Sequence, residues 1–201
     1  MRSAVVIGAA VARVVVGYVG ARLLEPRVPA PPQAPAAAAA TASIANVMVI
    51  ADGALPGGIA RGNRVFEAAL TAFEAQLRTA GFTVHDGRAV SVTNPALDNE
   101  KRADTEVLQL ARRQQTRLDA VIVFSLLTPI DSTMQAQNAA IRGAARMFRA
   151  DGRSIGTAEW TSPMRWSLPY ACDRTCLIDT VAVEAATVVS AMSERVVAAL
   201  R

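Results

Sequence analysis

This chain is poor in the residues on which most site chemistry depends. It has one histidine (His85), one lysine (Lys101) and two cysteines (Cys172 and Cys176), and aromatics make up only 4% of it. A single histidine excludes a multi-histidine zinc site and leaves one imidazole for any catalytic triad. Scarce aromatics mean a core built from Val, Leu, Ile and Ala. With one lysine, the net charge of +4 comes almost wholly from arginine. Those arginines are dispersed among acids rather than clustered with aromatics, so a nucleic-acid stripe is not indicated. The expected partners therefore include no nucleic acid.

What is present begins at the amino terminus. Met1-Arg2 is followed by an apolar run from Ala4, broken at Arg13 and resumed through Val14 to Leu24. A basic head, an apolar middle and small residues at Val19-Gly20-Ala21 mark an export signal or signal anchor over residues 1–24. A spanning helix needs about 20 apolar residues, but an arginine near its centre costs about 2.5–3.5 kcal/mol on insertion scales. Cleavage after Ala21 is therefore preferred over an uncleaved anchor, with a misassigned start codon as the third option. No cysteine follows the run to take a lipid. Residues 25–43 form a Pro/Ala-rich linker, extended or disordered by composition. The expectation is a periplasmic or secreted protein, or one tethered to the inner membrane by the amino-terminal segment alone.

Residues 44–201 have the length of one domain. Ile44 to Asp52 reads as a buried strand. The loop Gly53-Ala-Leu-Pro-Gly-Gly-Ile-Ala-Arg-Gly62 leads to Asn63, a good helix cap. Phe66, Leu70, Phe73 and Leu77 then form an amphipathic stripe, closed by Gly81 in the left-handed position. Thr83-Val84-His85 starts a second strand. A polar stretch, 91–98, precedes a helix over about 102–117. Leu118 to Ser125 is an apolar run with both faces covered. Ala140 to Ala150 and Ser154 to Trp160 form a hairpin about Asp151-Gly152. Cys176 to Leu200 is a long helix whose buried face carries Ile178, Val181, Ala185, Val188, Met192, Val196 and Ala199. The fold class is α/β (α+β mixed): one two- or three-layer domain with a mixed sheet, order β-α-β-α-β-β-β-α.

This order, with the helix ending Ala80-Gly81-Phe82, the strand Leu118-Asp-Ala-Val-Ile-Val-Phe and the hairpin Ala144 to Gly156, resembles a small domain of envelope proteins. These are the periplasmic part of the curli-export channel family (CsgG-like), the peptidoglycan-synthase activator LpoB, the amino-terminal TolB domain and the middle domain of flagellar assembly protein T. The resemblance spans Ile44 to Leu200 and implies a non-enzymatic binding or assembly domain without a cofactor. The channel proteins and LpoB are lipid-anchored, whereas this leader lacks the cysteine. The long membrane-inserting hairpins of the channel are also missing from the pattern.

Four groups of residues are candidates for chemistry or contact. Cys172 and Cys176, four apart at a helix start, sit about 6 Å apart, within disulfide range. A structural staple leads over free thiols, metal ligation and an exchange-active pair. The loop residues Gly53, Gly57, Gly58, Arg61, Gly62 and Asn63 join a strand to a helix, where glycines can cradle an anion. Asn63 and Arg64 stand where a nucleotide loop needs Lys and Ser/Thr. A mobile connector, an anion site and a partner contact are the readings of this loop. The acids Asp98, Glu100, Asp104 and Glu106 suit a helix start. Trp160 and Trp166 suit sheet-end plugs ahead of a binding platform. The expected function is a cell-envelope interaction or assembly module, docking on an envelope protein complex or cell-wall polymer, with a homo-oligomer as a further option. The alternatives are a periplasmic hydrolase or thiol-redox enzyme, and a subunit of a secretion or pore assembly.

Overall fold

The computed structural model describes residues 43–53, 55–92, 102–114, 117–132, 137–169 and 171–201. The leader 1–24, the linker 25–43 apart from Ser43, and the acids Asp98 and Glu100 lie outside the described residues. The central strands are β1 (Asn46–Ala51) and β3 (Ala120–Leu127), which pair in parallel, Val47 beside Ala120 through Ala51 beside Phe124. Every residue of β3 is buried, as its unbroken apolar run requires when helices cover both faces of a sheet. On the outer side of β1 lies β2 (Thr83–Asp86), also parallel. Beyond β3 come β6 (Arg142–Arg149) and β7 (Ser154–Thr161), both antiparallel to their neighbours. The sheet order is β2-β1-β3-β6-β7.

Helix α1 (Arg64–Thr79) sets its stripe of Phe66, Leu70, Phe73 and Leu77 on one face of the sheet. There Phe66 and Phe73 meet Phe124 of β3, with ring centroids 5.5 and 5.0 Å apart. The other face receives α2 (Asp104–Gln114), whose Val107, Leu108 and Ala111 pack on Met48, Ile50, Val121 and Val123. The helix predicted over about 102–117 begins at Asp104, with Asp104 and Glu106 in its first turn, and residues 115–116 of the prediction lie outside the described residues. Gly81 adopts φ +98°, the left-handed conformation that ends α1.

Two departures from the predicted order are small. Three short strands, β4 (Ile130–Ser132), β5 (Gln137–Ala139) and β8 (Trp166–Leu168), form a second sheet, order β4-β5-β8. The last helix is divided into α3 (Arg174–Val181), a 3-10 turn (Ala182–Glu184) and α4 (Ala185–Leu200). Its predicted buried face holds from Ile178 to Val196, but Ala199 is exposed and Leu200 is buried in its place. The stretch Arg174–Leu200 is long and apolar enough to cross a membrane by length and composition. Here its stripe of Val188, Met192 and Val196 lies in the same core cluster as α1 and the sheet.

Candidate functional site

The order β2-β1-β3, with α1 and α2 on opposite faces, makes the gap between β1 and β3 the point where the chain's winding reverses. In open α/β sheets, ligands bind outside the carboxyl ends of the strands at that point. The loop that leaves β1 lies across this position. Its Ile59 is fully buried and donates its N–H to the Leu126 carbonyl at 2.8 Å. Gly58 forms an antiparallel bridge with Leu127, and Thr128 donates through N–H and Oγ1 to the Gly57 carbonyl at 2.9 and 3.2 Å. The Arg174 guanidinium, from α3, donates to the Gly58 carbonyl. The segment is therefore bonded onto the end of β3 and is not the loose connector that its composition suggested.

The individual loop residues follow from this path. Gly57 has φ +73°, which a side chain rarely adopts. A Cβ on Gly58 would stand 2.8 Å from the Leu55 carbonyl oxygen, and one on Gly53 would stand 2.9 Å from the Arg61 nitrogen. Gly62 has open space around it. Asn63 caps α1, its Oδ1 accepting from the Val65 N–H at 2.8 Å. Arg61 is half-buried, and Arg64 extends outward to pair with Asp179 of α3 at 3.0 Å. Pro56 and Gly57 form the exposed tip.

Next to this loop lies a charged cluster that sequence reasoning missed. Asp52, at the end of β1, is fully buried, and its Oδ2 is 3.3 Å from Nη2 of Arg146 on β6. Nη1 of the same guanidinium donates to both oxygens of Asp104, at 2.8 and 3.0 Å, at the start of α2. Arg146 thereby ties β1, β6 and α2 together on the α2 side of the sheet. At the opposite end of β1, Oδ2 of Asp119 accepts from the N–H groups of Ala45 and Asn46 and from the Asn46 amide. Partial burial is the largest single influence on Asp119 and raises its pKa. The backbone N–H groups of Asn46 and Ala45, the Asn46 amide and the Arg117 charge together outweigh it and hold the carboxyl below its ordinary value.

The remaining predicted residues are scattered. Cys172 and Cys176 are joined, with an S–S distance of 2.07 Å and Cα atoms 5.4 Å apart, at the start of α3, where Asp173 caps the Cys176 N–H. His85 lies opposite Met48 in the β1–β2 register, and its Nε2 is buried without a hydrogen-bond partner. Trp160 and Trp166 are half-buried against the main core, as expected of plugs. Among the described residues, no group of three His, Cys, Asp or Glu side chains comes together as a metal site. A groove of about 640 Å³, unforeseen from sequence, runs between α1 and the α3–α4 segment. Small side chains open it, among them Ala68, Ala72, Ala182 and Ala186. The Arg64–Asp179 pair is part of its lining.

No protein-family model matches the chain, and no curated protein matches it. Among solved structures it is similar to the lipoprotein GNA1162 from Neisseria meningitidis, at 14% identity and a TM-score of 0.41, over 76% of this chain and 97% of that one. It is also similar to the hypothetical protein CT253 from Chlamydia trachomatis, at 11% identity and a TM-score of 0.42, over 79% of this chain and 98% of that one. A third similarity is to the PelC dodecamer from Paraburkholderia phytofirmans, at 10% identity and a TM-score of 0.39, over 79% and 87%.

Proposed function

We propose that this chain is a non-enzymatic interaction or assembly module of the cell envelope, working outside the cytoplasm. One observation carries the non-enzymatic part. The crevice at the carboxyl ends of β1 and β3, where this topology offers a ligand site, is filled by the chain's own Gly57–Ile59, hydrogen-bonded to Leu126 and Thr128. A fold that seals its reactive crevice keeps the loop as a rigid outer surface. Its exposed tip at Pro56-Gly57 and the neighbouring Arg61 and Gly62 then serve as a contact for an envelope protein complex or a cell-wall polymer. The location rests on the basic and apolar leader together with the Cys172–Cys176 bond, which persists in oxidising compartments. The resemblance to the LpoB and TolB type of envelope domain points the same way.

Two experiments test this reading. Residues 1–43 fused to a reporter that is active only after export should give activity, and a silent fusion would remove the envelope assignment. A photo-crosslinking residue at Pro56 or Gly62 should yield a discrete adduct in intact cells, while the same residue at Arg113 on α2 should not. Equal labelling from all three positions would reject the loop as the contact.

A further inference from the structure

The five-stranded sheet ends on β7, and the hydrogen-bonding direction of that strand can be worked out from one contact. Ser162 donates its N–H to the Ile141 carbonyl at 2.9 Å, one step beyond the Arg142–Thr161 pair. Opposed residues in an antiparallel ladder alternate between bonded and non-bonded pairs. Trp160 and Ala158 therefore bond inward to β6, and Thr157, Glu159 and Thr161 turn their N–H and C=O groups outward. The Glu159 carbonyl confirms the phase, because it accepts from Nη1 of Arg195 on α4 at 2.9 Å. The same guanidinium lies 4.7 Å from the centre of the Trp160 ring.

Open edges are usually blunted by proline, lysine, a bulge or short length. The β7 residues Ser-Ile-Gly-Thr-Ala-Glu-Trp-Thr contain neither proline nor lysine, and the register shift lies only at the start of the strand, opposite Met147 and Phe148. The other edge of this sheet, β2, has four residues against eight in β7. Thr157, Glu159 and Thr161 are all exposed. On β7 the only guard among the described residues is Arg195, and it covers one carbonyl.

We propose that β7 pairs antiparallel with β7 of a second copy of this chain, about a two-fold axis at Ala158, to form one continuous sheet. Among registers centred on Thr157, Ala158 and Glu159, the side chains favour this one. Centred on Glu159, two carboxylates would face each other, which is destabilising. Centred on Thr157, the shifted segment at the strand start would enter the middle of the ladder. Centred on Ala158, Glu159 faces Thr157 of the partner subunit, and Trp160 faces Gly156 of the partner subunit. A Cβ placed on Gly156 meets nothing within 4 Å, so its own chain does not crowd the position opposite Trp160. In this pairing the Glu159 carbonyl exchanges Arg195 for the N–H of the partner's Thr157. Arg195 is thus a direct competitor of association. Pairing through β7 needs nothing from the loop after β1, so it stands or falls apart from the proposed function.

Sedimentation velocity over a dilution series, on the purified full chain, reads the association. The expected result is a reversible dimer, tightened several-fold by Arg195→Ala. Thr157→Pro removes an outward N–H without touching the β6–β7 ladder. It should weaken the dimer about thirtyfold, roughly the loss of two net hydrogen bonds, one from each copy. Cysteines report the register if the proline variant fails to fold. Thr157→Cys with Glu159→Cys should give a disulfide-linked dimer on mild oxidation, and Glu159→Cys alone should not. Monomers at all concentrations in both wild type and Arg195→Ala would overturn the proposal. So would a dimer indifferent to a folded Thr157→Pro variant, or ready linkage through Glu159→Cys alone.

Discussion

Replacing Arg146 by methionine should be among the more damaging single changes on the surface of this sheet, and the structure says why. The guanidinium serves two carboxylates in unlike surroundings. Asp104 is 36% exposed at the side chain, so its pair with Arg146, made through the single nitrogen Nη1, is close to a surface ion pair worth about 0.2–1 kcal/mol. Asp52 is 0% exposed, and taking a cation from a buried carboxylate costs about 3–5 kcal/mol. Asp52 also keeps interactions beyond Arg146, which places the estimate at the low end, about 3 kcal/mol. With a urea m-value of about 2 kcal/mol/M, the unfolding midpoint should fall by about 1.5 M. Asp104→Asn should cost no more than about 1 kcal/mol. Asp52→Asn combined with Arg146→Met should recover more than half of the loss, because the buried charge is gone. The order of the three effects is the test. If Asp104→Asn costs as much as Arg146→Met, the energy lies in the half-exposed pair and the reasoning about burial is wrong.

Other outcomes can be measured on the same instruments. Gly87→Ala would place a Cβ 2.1 Å from the Val49 carbonyl oxygen on β1, a backbone atom that cannot yield, so a loss of about 3 kcal/mol or more is expected. Gly62→Ala, with open space around it, should stay within about 0.5 kcal/mol of the parent. Asp119→Asn should destabilise by about 1–2 kcal/mol at pH 7 through the weakened carboxylate bonds to Ala45 and Asn46. The carboxyl is held below its ordinary value, so its stabilisation is complete above the unfolded pKa of about 3.9 and is lost as pH falls through the lower folded value. The gap between parent and variant should close in acid, and a gap that widens there would refute the assignment. Cys172→Ser should lower stability by about 2 kcal/mol, since the loop it closes is short, and the parent should show no free thiol before reduction.

The elements that sequence made legible are those whose pattern outlasts one turn or one pleat. The stripe of α1 recurs through four buried residues, and β3 is apolar at every position but Ser125, so both were plain in advance. Strands β4, β5 and β8 have three residues each, too few for a period of two to show. The 3-10 turn at Ala182–Glu184 is written in ordinary helix formers, so nothing local announces it. The Asp52–Arg146–Asp104 cluster was hidden for a different reason. Alternation along β6 shows only that Arg146 faces away from the α1 side. Which acids meet it depends on β1 and α2 arriving on that side, 94 and 42 residues away in the chain.

The loop after β1 shows how a correct observation can leave its cause undetermined. Glycines between a strand and a helix are needed wherever backbone must come close to something, and a bound phosphate and the chain itself make the same demand. Composition records the need and not the object. In this fold the object is the chain. The carbonyl of Gly57 meets Thr128, that of Gly58 meets Arg174, and the space a Cβ would occupy at Gly53 and Gly58 is taken by Arg61 and Leu55. Gly62 alone has room to spare, and it adjoins the Asn63 cap on the outer rim of the loop. Close packing thus accounts for the inner glycines. The rim from Arg61 to Asn63, with the exposed Pro56-Gly57 tip, is the part that the proposed contact would use.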